Sequence, residues 1–248
     1  MKKVDTTGPQ AHPAAMEASV GVLVLSTQFP RIVGDGGNAK TWPFPVLFEV
    51  VEQATSERVV HQAAVGLVDD FVLAGQALVA RGVSGITTSC GFLAIHQNAL
   101  SSALGVPVAS SSLFQASWIE ALLPPGRVVG VLTIAPLSLT PTHLQCARVP
   151  MNSPVGGVDP NGHFADTILR DRPDIDVERA RAEVVAGARA LLAKAPSMGA
   201  LVLECTNMSP YAADVSDALG LPVFDFVSFL SWFHAGLCPR RYFQHGAD

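Results

Sequence analysis

Apolar positions along the chain follow two periods, and the changes between them mark the elements. Val20-Gly-Val-Leu-Val-Leu25 is a short apolar run rich in branched residues and reads as a buried strand. Ser26-Thr27 ends it, and a loop rich in Pro and Gly follows through Gly34-Asp-Gly-Gly-Asn38 to Trp42-Pro-Phe-Pro45. Over residues 67–80, Leu67, Phe71, Leu73, Ala74 and Leu78 recur at helical spacing. Ser84 to Thr88 reads as the next strand, 92–103 as a helix, Val106–Ala109 as a strand and 112–122 as a helix. Pro124-Pro-Gly126 is a hinge. Arg127 to Thr133 then restarts the pattern, with Gly130-Val-Leu132 echoing Gly21-Val-Leu23. A stretch without clear period, Ala135 to Asp176, leads into a helix over 177–194 with Asp176 as N-cap. Leu201–Glu204 reads as a strand, Pro210–Leu219 as a helix with Pro in its first turn, Leu221–Phe224 as a strand and 226–237 as a helix.

Strands alternating with helices imply parallel sheets, hence an α/β protein. The two halves also repeat each other. Leu104-Gly-Val-Pro-Val108 returns as Leu219-Gly-Leu-Pro-Val223, 115 residues later, and Phe114 and Phe229 keep that spacing. Cys90 and Cys205 keep it too, each just past the end of a strand. The expectation is therefore two similar α/β sandwich domains with parallel sheets, related by pseudo-two-fold symmetry. The halves are placed at 19–123 and 127–237, after a disordered lead-in over 1–18. The C-terminal segment has the option of packing back on the first half.

Composition narrows the functional classes. Hydrophobic residues make up 49% of the 248 and charged residues 15%, which suits a well-buried globular protein, with a homodimer as an expectation. The net charge of −5 gives no electrostatic footprint for nucleic acid. No apolar run is long enough for a membrane span, and no apolar segment follows Lys2 and Lys3 to make an export signal. With four cysteines and no CxxC pair, a reduced, cytoplasmic protein is the expectation.

Candidate chemistry centres on the repeated thiols. In open α/β sheets the ligand lies beyond the carboxyl ends of the strands, where both cysteines stand. Each precedes a helix start, whose N–H groups favour anions and thiolates. Two halves facing each other would set one thiol on either side of a planar carbanion. Cys146 and Cys238 have no partner in the repeat and read as structural. The loop through Asn38 either approaches the substrate or is a surface turn. Glu204 either orients a partner at the thiol or faces the other side of the sheet. His143 either lines the cleft or packs. Lysines are few and none suggests a Schiff base, and the histidines share no metal-ligand spacing; neither cofactor nor metal is expected.

Glu204-Cys-Thr-Asn-Met-Ser-Pro-Tyr211 resembles the second cysteine motif of the aspartate/glutamate racemase superfamily, and Ser89-Cys-Gly-Phe92 stands where that family has its first. The superfamily comprises amino-acid and hydantoin racemases, maleate isomerases and arylmalonate decarboxylases, all free of cofactors. The resemblance implies that Cys90 and Cys205 are an opposed base and acid, inverting a carbon α to a carboxylate. It implies that Ser26, Thr27, Ser89, Gly91, Phe92, Thr206 and Asn207 surround a small carboxylate substrate, to which the loop position adds Asn38 as a candidate contact. Departures from the pattern point away from aspartate or glutamate as that substrate. Gly91-Phe92 replaces an Asn-Thr pair, the first strand ends without a carboxylate, and Asn207 replaces a His or Glu. The rivals are a maleate-isomerase-like or decarboxylase-like enzyme, in which the two cysteines would be unequal, and a non-catalytic small-molecule-binding relative.

Overall fold

The computed structural model describes residues 19–240; the lead-in expected over 1–18 lies outside them. Two four-stranded parallel sheets form the frame. The first has the order β2-β1-β3-β4, with β1 at Val20–Leu25, β2 at Val46–Val51, β3 at Gly85–Thr88 and β4 at Val108–Ala109. The second has the order β6-β5-β7-β8, with β5 at Val128–Thr133, β6 at Val155–Gly157, β7 at Met198–Leu203 and β8 at Val223–Phe224. Central strands β1, β3, β5 and β7 are almost wholly buried, as continuous apolar runs covered on both faces must be. This is the α/β architecture of paired parallel sheets that the sequence led us to expect.

The helices follow the strand-helix alternation, with α1 (Val68–Ala80) and α2 (Gln97–Leu104) flanking the first sheet. In the second half α4 spans Pro141–Cys146, α5 His163–Leu169, α6 Val177–Lys194 and α7 Ala212–Leu219. Asp176 caps α6 by accepting from the Arg179 N–H. The repeat is carried into geometry. The 3-10 turns Gly91–His96 and Thr206–Tyr211, helices α2 and α7, and strands β4 and β8 each lie 115 residues apart. Gly105 and Gly220 end α2 and α7 with φ of 67° and 65°, a left-handed cap that suits glycine.

The halves are interlocked by exchanging their last helices. Helix α3 (Gln115–Leu122) packs on β5 and β7 of the second sheet. Helix α8 (Phe226–Leu237) returns to the first sheet, where Phe226, Phe229 and Leu230 form a second core cluster with Val20, Trp42 and Ala109. Gln115 Nε2 ties the two helix starts by donating to the Asp225 carbonyl at 2.9 Å. The crossing brings the carboxyl ends of β3 and β7 against each other.

Local structure departs from the sequence expectation in places. The helices expected from 92 and 112 begin as 3-10 turns, Gly91–His96 and Ser112–Phe114, before continuing as α2 and α3. Pro210 falls inside the 3-10 turn Thr206–Tyr211, so α7 starts at Ala212. The stretch from Ala135 to Asp176 is not irregular throughout. It holds α4, β6 and α5. Among the described residues no helix is long and apolar enough to cross a membrane.

Candidate active site

Strands β3 and β7 deliver the two cysteines to one small cavity. Ser89 and Glu204 occupy matching places in the repeat, and each donates its N–H to the carbonyl of the neighbouring central strand: Ser89 to Leu23 at 2.9 Å, Glu204 to Leu132 at 2.8 Å. Each strand then turns sharply into its 3-10 turn, leaving Cys90 and Cys205 at the corner with extended backbone. Hydrogen bonds from the N–H of Phe92 to Cys90, and of Asn207 to Cys205, lower each thiol's pKa. The two donors are again repeat partners. This is the strand-end, helix-start cradle that an anionic sulfur requires.

The cavity wall also includes Leu25, Phe29, Arg31, Ser56, Phe92, Ile134, Leu169, Glu204 and Thr206. Its free space admits about 20 Å³ of positions for the centre of a water molecule, so the site as it stands is closed and nearly dry. Burial pushes both thiols well above their ordinary pKa, and Glu204, where ionised, adds to that in each case. The remaining influences differ. Arg31 favours the Cys90 thiolate, whereas Cys90 itself and Asp35 oppose the Cys205 thiolate.

Hydrogen bonding deepens this inequality. Asp35 is buried (2% exposed) and accepts from Asn207 Nδ2, from Arg31 Nη1 at 3.1 Å and from the Gly37 N–H at 2.7 Å. With its amide nitrogen engaged, Asn207 presents Oδ1 to Cys205, 3.5 Å from Sγ. That oxygen can only accept, so it holds Cys205 as the protonated thiol.

The loop after β1 supplies the cation. Arg31 stacks over Phe29, its Cζ 4.7 Å from the ring centroid, and donates to Thr27 Oγ1 at 3.0 Å. Asn38 does not reach the cavity. Its Nδ2 holds the Arg31 carbonyl at 2.7 Å, and its Oδ1 caps a 3-10 turn at the Lys40 N–H. Ser26 and Thr27 are not among the wall residues: the Ser26 N–H pairs with the Ala54 carbonyl, and Thr27 Oγ1 donates to the Leu25 carbonyl at 3.4 Å. Gly91 lies at the seam between halves rather than in the wall. Ser89, Cys90, Phe92, Cys205, Thr206 and Asn207 do line it.

His143 is buried, closes the capping box of α4 with Thr140, and meets the Phe92 ring edge-on at 5.4 Å. Burial depresses its pKa and that of His96, so both are neutral props behind the wall. Sequence reasoning missed Arg31 and Phe29. The signal available was a cation next to a proline in a loop leaving the carboxyl end of β1, where ligands bind.

No protein-family model matches the chain. By sequence it is similar to dimethylsulfoniopropionate lyase of Durusdinium sp. clade D, at 28% identity over 237 residues, covering 92% of this chain and 78% of that protein. It is also similar to dimethylsulfoniopropionate lyases 5 and 6 of Emiliania huxleyi strain CCMP1516. These are 27% and 30% identical, and the chain spans 47% and 57% of their lengths. By structure it matches a double mutant of arylmalonate decarboxylase in its liganded form, with TM-score 0.61 and 15% identity, covering 90% of this chain and 93% of that one. Glutamate racemase from Francisella tularensis (TM-score 0.55, 14% identity, 89% and 81%) and allantoin racemase from Pseudomonas fluorescens (0.54, 16%, 88% and 90%) match as well. The relatives found by sequence are thus named as lyases, not as the racemases that the cysteine motifs suggested. The chain has the fold of arylmalonate decarboxylase and of the amino-acid and allantoin racemases, and its sequence is similar to those of dimethylsulfoniopropionate lyases.

Proposed function

We propose that the protein is a cofactor-independent carbon–sulfur lyase, removing a proton α to a carboxylate so that a β-substituent leaves. Dimethylsulfoniopropionate is the substrate to test first. The observation that carries the reading is the pair of thiols in one closed cavity, made unequal by Arg31 and Asn207. Cys90 is the base and Cys205 stays protonated. Two donors of the Arg31 guanidinium are engaged by Asp35 and Thr27, and the rest of its fork is directed to the substrate carboxylate.

The step balances without a further reactant. The Cys90 thiolate takes one α-proton, the C–H pair becomes the Cα=Cβ bond, and the Cβ–S bond breaks. Dimethyl sulfide departs with the Cβ–S bonding pair and acrylate remains; the proton held on Cys90 then passes to solvent. A dry cavity opposes a lone thiolate, but a sulfonium cation brought beside it offsets the cost, since opposite charge favours the ionised sulfur. The walls contributed by Phe29, Phe92 and Leu25 suit the two S-methyl groups. Similarity to the lyases extends over 92% of the chain in the Durusdinium protein, which favours elimination over inversion.

The second thiol favours one further reading, racemisation, in which Cys205 returns a proton to the opposite face. The two are separated by incubating the protein with dimethylsulfoniopropionate in D2O, following dimethyl sulfide in the headspace and acrylate by proton NMR. Chiral α-amino and α-hydroxy acids go alongside. Elimination gives both products. Racemisation gives deuterium at Cα without release. If neither is seen, both readings fall. Within the elimination reading, Arg31→Gln is expected to raise KM by about 10–100-fold, the worth of a charge-assisted hydrogen bond, with a smaller change in kcat. A KM within twofold of the parent would remove Arg31 from carboxylate binding.

A further inference from the structure

Glu204 closes the end of β7 and is wholly buried. Its Oε2 accepts from Thr133 Oγ1 at 2.7 Å, while its Oε1 has no hydrogen-bond partner among the described residues. That oxygen crosses the seam to rest against Gly91 of the first half, and the residue forms part of the cavity wall. The matching position of the repeat is Ser89, whose hydroxyl accepts from the Leu25 N–H at 3.3 Å. The second half therefore sets an acid, with one oxygen uncommitted, where the first half has a satisfied hydroxyl. A buried polar atom without a partner is costly, and Glu204 is one of the residues of the cavity wall, so a ligand bound there is the candidate partner.

We propose that Glu204 works as a neutral carboxylic acid whose Oε1–H donates a hydrogen bond to the carboxylate of the bound substrate. The inference rests on the carboxylate reading above and deepens it: Arg31 would hold one side of the carboxylate and Glu204 would strengthen its hold as the enolate develops. Because Oε2 is committed as an acceptor, the proton belongs on Oε1. Burial raises the carboxyl pKa to about 7, with the Thr133 bond pulling the other way. A protonated acid in an apolar site is a recognised way to stabilise an oxyanion.

The charges around it are few. Cys90 and Arg31 face the same cavity from the first half and Cys205 from the second. Asp35 is tied to Arg31 and Asn207, and neutral His143 lies beyond Phe92. Once ionised, Glu204 would repel the substrate carboxylate and oppose either thiolate.

The test uses propionate, which binds without turnover, so it is independent of whether the protein is a lyase. Calorimetric affinity is measured from pH 5.5 to 8.5 for the parent, Glu204→Gln and Glu204→Met. The parent should weaken above about pH 7, approaching tenfold per pH unit. Glu204→Gln keeps an N–H donor and should stay flat over this range. Glu204→Met should be weak throughout. Equal pH dependence in parent and Glu204→Gln overturns the proposal, as does a parent that does not bind propionate.

Stability gives a readout free of ligand. The folded pKa lies above the unfolded value, so the protonated group stabilises the fold fully below about pH 4 and loses that contribution as pH rises to about 7. His96 and His143, depressed by burial, act in the opposite sense below about pH 6.5 in both proteins and cancel in the comparison. The melting temperature of the parent relative to Glu204→Gln should fall between pH 4.5 and 7.5. A constant difference overturns the protonated assignment. Should Glu204→Gln not fold, the carbonyl stretch of a protonated carboxyl in isotope-edited infrared spectra of the parent replaces it. Loss of that band near pH 7 supports the proposal, and its absence at pH 6 overturns it.

Discussion

If the protein is the proposed lyase, Cys90→Ala is expected to lower release of dimethyl sulfide from dimethylsulfoniopropionate by about a thousandfold or more, in line with loss of a positioned general base. Cys205→Ala is expected to cost far less, about tenfold. The asymmetry follows from the surroundings and not from the sulfurs. Each thiol is buried and each receives an N–H from the residue two positions on. Arg31 acts on Cys90, whereas Cys205 is held against Asn207 Oδ1 and opposed by Asp35. Elimination needs one base and no acid, because dimethyl sulfide leaves as a neutral molecule. Steady-state release of dimethyl sulfide by both variants, with thermal melts to show that they fold, decides the matter. Equal losses at the two positions would favour racemisation-type chemistry. A greater loss at Cys205 would reverse the assignment of the base.

Much of the frame was legible because the repeat keeps one spacing from Ser89 to Phe114 and from Glu204 to Phe229. Leu104-Gly-Val-Pro-Val108 and Leu219-Gly-Leu-Pro-Val223 each encode the end of a helix, a left-handed glycine and the start of an edge strand. One spacing thus placed the elements on either side of each cysteine. The missed elements carry weaker patterns. Strand β2 is only half-buried over most of its length and follows a Pro-rich loop, so its residues lack a clean alternation. Strand β6 is Val-Gly-Gly, where glycine removes the side chains that would show a period.

The site was legible where the chain is local and illegible where it doubles back. Cys90 and Cys205 stand just past strand ends and follow from the repeat spacing; Phe92 and Asn207, two residues on in the 3-10 turns, follow from the family resemblance, and all four line the cavity. The place of Arg31 depends on Asp35, Asn38 and Asn207 folding the loop back over the cavity. The Arg31–Asp35 and Asn38–Arg31 bonds only shape the loop locally; the Asn207–Asp35 bond that seats it against the second half spans the two halves and leaves no trace in spacing. Asn38, read as a possible substrate contact, is spent on shaping that loop.

Gly91→Ala should both destabilise the protein and abolish turnover. A Cβ at Gly91 would lie 2.9 Å from Glu204 Cδ and closer still to its Oε1 and its carbonyl oxygen. The carbonyl cannot yield easily. The Glu204 N–H is bonded to the Leu132 carbonyl at 2.8 Å, and the Glu204 carbonyl accepts from Ser112 Oγ at 3.2 Å. The strain therefore falls on the seam between the halves. Backbone conformation is not the obstacle, because Thr206, the repeat partner of Gly91, carries a side chain there. Its Oγ1 donates to the Ser89 carbonyl at 2.7 Å, across the same seam in the opposite direction. So the pseudo-symmetric contact is a hydrogen bond on one side and a bare glycine on the other, because Glu204 fills the space a side chain would take. Overpacking of this kind costs about 2–3 kcal/mol, a fall of roughly 5–10 °C in Tm for a chain of this size. Gly105→Ala is the control: φ is 67° but nothing lies within 4 Å, so modest strain is expected with activity kept. A Gly91→Ala protein with the parent's Tm and turnover would mean that the seam is looser than its hydrogen bonds require, and that closing the two halves does not set the geometry of the thiols.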